Sequence, residues 1–334
     1  MRTGFNLALA LLIMASPAIA GTKAGKAPKA TYFTVTNLVS NQSGVANNTD
    51  PNLINPWGLS QESPSAPLWV SDNGTGLSTV YQQGTGTNEG LVVNIANGAP
   101  TGTVYVPTGS GFQISENGKN GDATFLFDSD TGYITGWNSS VDAKNAIVAY
   151  TSSGSNFTGL AIDSSSKLLF ATDFANNAVQ IIDNTFTLKS SFTDTSLPKG
   201  FAPYNVAVIN GSLYVTYASF GSGKGYVDVF DESGNLKQHL VKKGKLDIPW
   251  GLAVAPSTFG KLAGTLLVGN LGNGEINAYN ISTGKFAGTL STAKGKPIVE
   301  DGLWALDAAP SGDVTFSAGP NGYADGLIGL ITAK

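Results

Sequence analysis

A short pattern, a bulky or β-branched residue followed by a small or polar one, recurs along this chain about every fifty residues, and it constrains the fold more than any other feature. Its clearest copies are Pro56-Trp57-Gly58-Leu59 and Pro249-Trp250-Gly251-Leu252. Phe157-Thr158-Gly159-Leu160, Pro203-Tyr204-Asn205-Val206 and Leu303-Trp304-Ala305-Leu306 occupy the same slot. Pro107-Thr108-Gly109 fills the remaining gap as a weaker copy. Taking Trp57, Thr108, Thr158, Tyr204, Trp250 and Trp304 as equivalent divides the chain into six near-equal units. Units of this size cannot bury an apolar face alone, so each must pack against its neighbours.

Each slot is followed by short runs of β-branched and aromatic residues, such as Leu68-Trp69-Val70-Ser71-Asp72, Leu168-Leu169-Phe170-Ala171-Thr172-Asp173 and Leu266-Leu267-Val268-Gly269-Asn270. Turns rich in Gly, Asn and Asp separate these runs, and no stretch keeps a helical apolar period. Such runs are strands. Four per unit predict an all-β fold, a single six-bladed β-propeller with four-stranded blades over residues 32–334. The last unit supplies only three strands before the chain stops. Phe33-Thr34-Val35-Thr36-Asn37-Leu38 stands alone near the other end, so it is expected to complete the final blade and close the ring, hiding an edge that would otherwise invite aggregation.

Composition removes several functional classes. The chain has no cysteine, so disulfides, thiolate metal sites and cysteine nucleophiles are excluded. Its formal net charge is −4 and its only arginine is Arg2, which argues against nucleic acid as a partner, since that affinity rests on neutralised phosphates. Met1-Arg2, the apolar run Phe5 to Met14 and Ala18-Ile19-Ala20 read as a signal peptide over residues 1–20, cleaved after Ala20. Residues 21–31 read as a flexible polar tail. No later segment is long and apolar enough to anchor in a membrane. The expected product is a secreted or periplasmic monomer.

With the repeats laid out, the chain resembles an exported, functionally uncharacterised propeller family of bacteria and fungi, similar in pattern to NHL-repeat proteins. The residues that carry this are Thr49 to Gly58, Ser71 to Gly76, Pro249-Trp250-Gly251-Leu252-Ala253, Leu266-Leu267-Val268-Gly269-Asn270 and Ser317-Ala318-Gly319-Pro320. The resemblance implies a six-bladed propeller and export, and it brings no activity with it.

In a propeller the innermost strands line a central channel, so the six slot residues are expected to encircle one mouth. Trp57, Tyr204, Trp250 and Trp304, with Thr108 and Thr158, would offer aromatic surface and hydrogen-bonding groups to a small molecule, a glycan or a protein ligand. The same rings could instead plug the channel. Calcium-dependent lactonases of the gluconolactonase type look similar overall, but their first-strand Asn is replaced here by Trp57, Thr158, Tyr204 and Trp250. What survives is Glu300-Asp301-Gly302-Leu303, with Asn55 and Asn205 nearby in register. If Asp301, Glu300, Asn55 and Asn205 converged, their oxygens would suit a weakly held Ca²⁺. Asp72, Asp128 and Asp173 end equivalent strands and read as turn caps. His239, the single histidine, is expected on an outermost strand, solvated and far from the channel, which removes any Ser-His-Asp triad. The resulting expectation is a binding or interaction module with no resident cofactor and no catalytic constellation. Its alternative is a lactonase-like hydrolase or lyase using a divalent cation near Asp301.

Overall fold

The computed structural model describes residues 31–309 and 311–334. The expected leader and residues 21–30 of the expected tail lie outside the described residues. Strands β1 (Phe33–Ser40) and β2 (Asn48–Thr49) come first. An antiparallel meander follows, formed by β3 (Pro56–Ser60), β4 (Leu68–Asp72), β5 (Leu77–Tyr81) and β6 (Asn88–Ile95). Next comes β7 (Pro100–Tyr105), then a separate hairpin of β8 (Gln113–Glu116) and β9 (Lys119–Asp122). Strands β10 (Phe125–Ser129), β11 (Tyr133–Asn138) and β12 (Asp142–Thr151) then pair in turn onto β7.

Three four-stranded antiparallel sheets continue the pattern. They are β13 (Phe157–Ile162), β14 (Leu168–Asp173), β15 (Ala178–Asp183) and β16 (Leu188–Phe192); β17 (Ala202–Ile209), β18 (Ser212–Ser219), β19 (Lys224–Phe230) and β20 (Leu236–Lys242); and β21 (Pro249–Val254), β22 (Leu266–Asn270), β23 (Ile276–Tyr279) and β24 (Phe286–Thr289). The chain closes with β25 (Leu303–Ala308), β26 (Val314–Ala318) and β27 (Leu327–Ala333). The fold is all-β. β1 pairs antiparallel with β27 from Phe33–Ala333 to Ser40–Leu327, so the isolated N-terminal strand covers the edge left by the last three.

The β3–β6 and β7–β12 groups count as one eight-stranded sheet because β6 and β12 share two parallel pairs, Asn94–Asn145 and Ile95–Ala146. Their faces nevertheless pack on each other, with Trp69, Val80 and Val93 of one group against Phe125, Phe127 and Trp137 of the other. Equivalent apolar layers separate every successive pair of sheets. Phe157 and Leu169 meet Leu126 and Ile134, while Phe170 and Ile181 meet Val215 and Tyr217. Leu252 and Val268 meet Val227 and Val229, and Leu303 and Phe316 meet Leu267 and Ile276. Leu38 and Ile328 meet Leu68 and Val70. The hydrophobic residues are thus spent between sheet faces rather than in one central core.

The first strand of each group packs on the next, in the order β3, β7, β13, β17, β21, β25 and back to β3. The slot motif explains how. A β-carbon on Gly58 would lie 2.6 Å from the Thr101 carbonyl oxygen, and one on Gly251 would lie 2.6 Å from that of Trp304. Gly102 and Gly159 would collide with the Leu160 amide and the Asn205 side chain. The recurring glycine is therefore required by the close approach of adjacent first strands, not by a left-handed turn. Pairing with the second strand also slips at this point in each group, between Pro56 and Leu59, Phe157 and Gly159, Pro203 and Asn205, Pro249 and Gly251, and Leu303 and Leu306. These are β-bulges, which re-aim the bulged side chain. Trp57, Thr158, Tyr204, Trp250 and Trp304 are the residues they re-aim.

Candidate functional site

The bulges bring four of the slot residues together. Trp57 and Trp304 stack with centroids 3.5 Å apart and planes 19° apart. Trp250 meets both edge-on, at 6.1 and 5.9 Å, and Tyr204 lies 6.4 Å from Trp57. All four are buried. Their polar ends are partly fixed: Trp250 Nε1 donates to the Thr158 carbonyl at 2.8 Å, and Trp304 Nε1 donates to Asn55 Oδ1 at 2.9 Å. Such packed aromatic pairs contribute about 0.5–1.5 kcal/mol each beyond the area they bury. Phe174, half-exposed Phe220 and Tyr323 cover the cluster edge-on or at a tilt.

Thr108 does not join this group. It is exposed in the turn after β7, and the position equivalent to Trp57 is Thr101, in the bulge opposite Phe127–Ser129. The β8–β9 hairpin inserted before β10 stretches this unit, so even spacing points to the wrong threonine. Thr101 is buried, and its Oγ1 lies 2.7 Å from Asp128 Oδ1 and 2.9 Å from the Phe157 carbonyl oxygen, which share its one proton.

Immediately beyond the aromatic cluster, along the same six first strands, lies a cavity of about 460 Å³. Its apolar wall includes Val104, Leu160, Val206, Leu252 and Leu306, and of the six slot residues only Trp250 lines it. Three of its lining residues each bury a side-chain atom without a hydrogen-bond partner: Gln61 Oε1, Thr103 Oγ1 and Asp307 Oδ2. They come from β3's end, β7 and β25. Burial pushes the Asp307 carboxyl up to about 6. Leaving such a group unpaired costs about 1–3 kcal/mol, so three among the lining residues is a substantial unsatisfied demand. None of the three was legible as a site residue, because each lies past a bulge that shifts which face the strand's side chains take.

Each of the expected cation ligands has local partners of its own. Asn205 Oδ1 accepts the Val206 amide at 2.8 Å while its Nδ2 donates to the Trp250 carbonyl at 2.8 Å. Asn55, held at φ 47, accepts from Trp304 and donates to Asn73 Oδ1 at 3.1 Å. Asp301 is exposed and accepts the Asn321 amide at 2.9 Å. Glu300 lines a surface cavity together with Asn37 and Val45, its carboxyl pushed up to about 7 by burial.

The three strand-end aspartates also divide. Asp173 does cap its turn, accepting the Asn156 and Asn176 amides at 3.2 and 3.3 Å. Asp128 instead accepts the Gly102 amide at 2.5 Å, tying β10 to the first strand. Asp72 accepts from Thr79 Oγ1 at 2.8 Å. His239 does sit on β20, the outer strand of its sheet, but it is not simply solvated. Its Nδ1 lies 3.1 Å from Asp194 Oδ2 and 3.2 Å from Asp228 Oδ1.

No family model matches the chain. It is 30% identical over 329 residues to uncharacterized protein R648 of Acanthamoeba polyphaga mimivirus, covering 90% of this chain and 80% of that protein. The chain belongs to the family of that protein. Uncharacterized protein L690 of the same virus is also 30% identical, over 326 residues, with 89% of this chain and 85% of the viral protein covered. The similarity thus extends across most of both sequences. Among solved structures, Kuenenia stuttgartiensis hydrazine synthase superposes with a TM-score of 0.54 at 16% identity, covering 83% of this chain and 80% of that one. At that identity the likeness concerns the fold alone.

Proposed function

We propose that this member of the family is a six-bladed β-propeller whose central cavity binds a compact ligand rich in hydroxyl or amino groups. The cyclic packing of β3, β7, β13, β17, β21 and β25, with an apolar layer between each pair of successive sheets, supports six blades. In this reading β1 completes the last blade. The observation that carries the binding role is the cavity lined by all six first strands, with the polar residues Gln61, Thr103 and Asp307 among its lining.

The chemistry of the trio defines the ligand. Gln61 Oε1 can only accept, and Asp307, largely ionised at neutral pH, also accepts. Thr103 can do either. A ligand that satisfies them must present O–H or N–H groups about a body small enough for 460 Å³, the dimension of a monosaccharide or a compact diamine. Trp250 supplies an aromatic surface at the inner end of the cavity, and the buried aromatic cluster closes that end. The module works outside the cytoplasm in this reading, with residues 1–20 as its cleaved leader, and acts as a monomer. The contacts of Asp301, Glu300, Asn55 and Asn205 give no observation in favour of a cation-assisted hydrolase.

A thermal-shift screen with monosaccharides, polyols and diamines tests the proposal. Compounds that stabilise the native chain should lose most of their effect in Asp307→Ala. Stabilisation that survives Asp307→Ala and Thr103→Val unchanged would place binding elsewhere.

A further inference from the structure

A second cluster of polar groups lies on the outer side of the fold, far along the blades from the first strands. His239 on β20 faces Asp228 on β19 across one pair of the antiparallel ladder. Asp194 reaches the same point from the segment after β16, in the preceding sheet. Its position is fixed: its amide donates to Tyr217 Oη at 3.0 Å, and its Oδ1 accepts the Ser196 amide at 2.8 Å. The remaining oxygen, Asp194 Oδ2, points at His239 yet has no hydrogen-bond partner, although the side chain is only 3% exposed. Asp228 is fully buried, and its Oδ2 is likewise unpaired.

We propose that Asp194, Asp228 and His239 form a binding site for a divalent transition-metal ion of the zinc type. One ligand atom from each residue lies within 4.8 Å of the other two, and the Nδ1 to oxygen separations are 3.1 and 3.2 Å. Metal bonds of about 2.0–2.2 Å meeting at tetrahedral or octahedral angles produce ligand-to-ligand edges of about 3.0–3.4 Å. The observed edges match. Two buried carboxyl groups face one imidazole. A divalent ion would engage both carboxyl groups and the imidazole together.

The imidazole selects the metal class. Calcium takes six to eight oxygens, while a nitrogen with two carboxylates suits zinc or its neighbours. His239 is 30% exposed, which leaves an entry path and room for water to complete the coordination shell. The role is structural: the ion joins the connection leaving one sheet to the outer strands of the next.

The full chain is titrated with zinc chloride by calorimetry while the imidazole resonances are followed by NMR. Because His239 is the only histidine, one set of signals reports the site. The proposal expects saturable binding with a shift of those signals, and at least about a tenfold loss of affinity in His239→Ala and in Asp228→Asn. Unmoved imidazole signals at millimolar zinc, measured on the unaltered chain, would overturn it. So would unchanged affinity in His239→Ala.

Discussion

Gly251 sits where β21 passes β25, and replacing it by alanine tests how the six first strands approach one another. The added β-carbon would lie 2.6 Å from the Trp304 carbonyl oxygen and 3.0 Å from Leu306 Cγ, whereas ordinary contact spans 3.4–4 Å. The first obstacle is backbone, so it cannot swing aside as a side-chain end would. Either β21 and β25 separate, loosening the stacked Trp57–Trp304 pair, or Trp304 shifts and strains its hydrogen bond to Asn55. Overpacking of this kind costs about 1–3 kcal/mol. Alanine also restricts the unfolded chain, which returns about 0.4–1 kcal/mol, so a net loss of about 1–2 kcal/mol is expected. Urea unfolding followed by tryptophan fluorescence measures it as a lower midpoint at unchanged slope. Gly221→Ala is the matched control, since nothing lies within 4 Å of its added carbon. It should be neutral or slightly stabilising. Equal, near-zero effects at both positions would refute the close-approach argument.

Other outcomes follow from the same structure. Burial pushes Asp128 and Asp307 up to about 6 from an ordinary 3.8, so the folded chain holds these protons more tightly than the unfolded one. Their contribution to stability is therefore full below about pH 4 and is lost as pH rises through about 6. Unfolding midpoints compared across pH 4–7 should show a shallower decline in Asp307→Asn than in the native chain; an identical slope would contradict the assignment. Deleting residues 1–40 removes β1 and exposes the β27 edge, and light scattering should detect aggregation that the full chain lacks. In an exporting bacterial host the mature chain is expected to begin at Gly21, and N-terminal sequencing of the exported product checks this.

The fold class was legible because the slot motif answers to two physical demands at once. A glycine permits strand contact, and a large ring beside it fills the space the bulge opens. Any residue pair meeting those demands recurs visibly, as Trp57-Gly58 and Trp250-Gly251 do. The isolated strand Phe33–Ser40 could likewise be matched to its partner by counting strands, since an unpaired edge is costly. Thr108 was misplaced because the β8–β9 hairpin lengthens one unit and leaves spacing a poor guide. Gln61, Thr103 and Asp307 were hidden for another reason: a bulge resets the alternation of inward and outward residues, and nothing in the composition marks a bulge. Asp194 lies in the connection after β16 while Asp228 and His239 pair across β19 and β20, so no local spacing joins all three. Of the cation ligands expected around Asp301, Asn55 accepts from Trp304 and Asn205 donates to the Trp250 carbonyl of β21, contacts that no spacing announces.

Diffraction from crystals grown with the most stabilising compound of the screen tests the central claim most directly. The ligand should lie in the cavity between the first strands, within hydrogen-bond distance of Gln61, Thr103 and Asp307 and beside Trp250. Density over the outer face at Phe220 and Tyr323, with the cavity wall still unpaired, would contradict it.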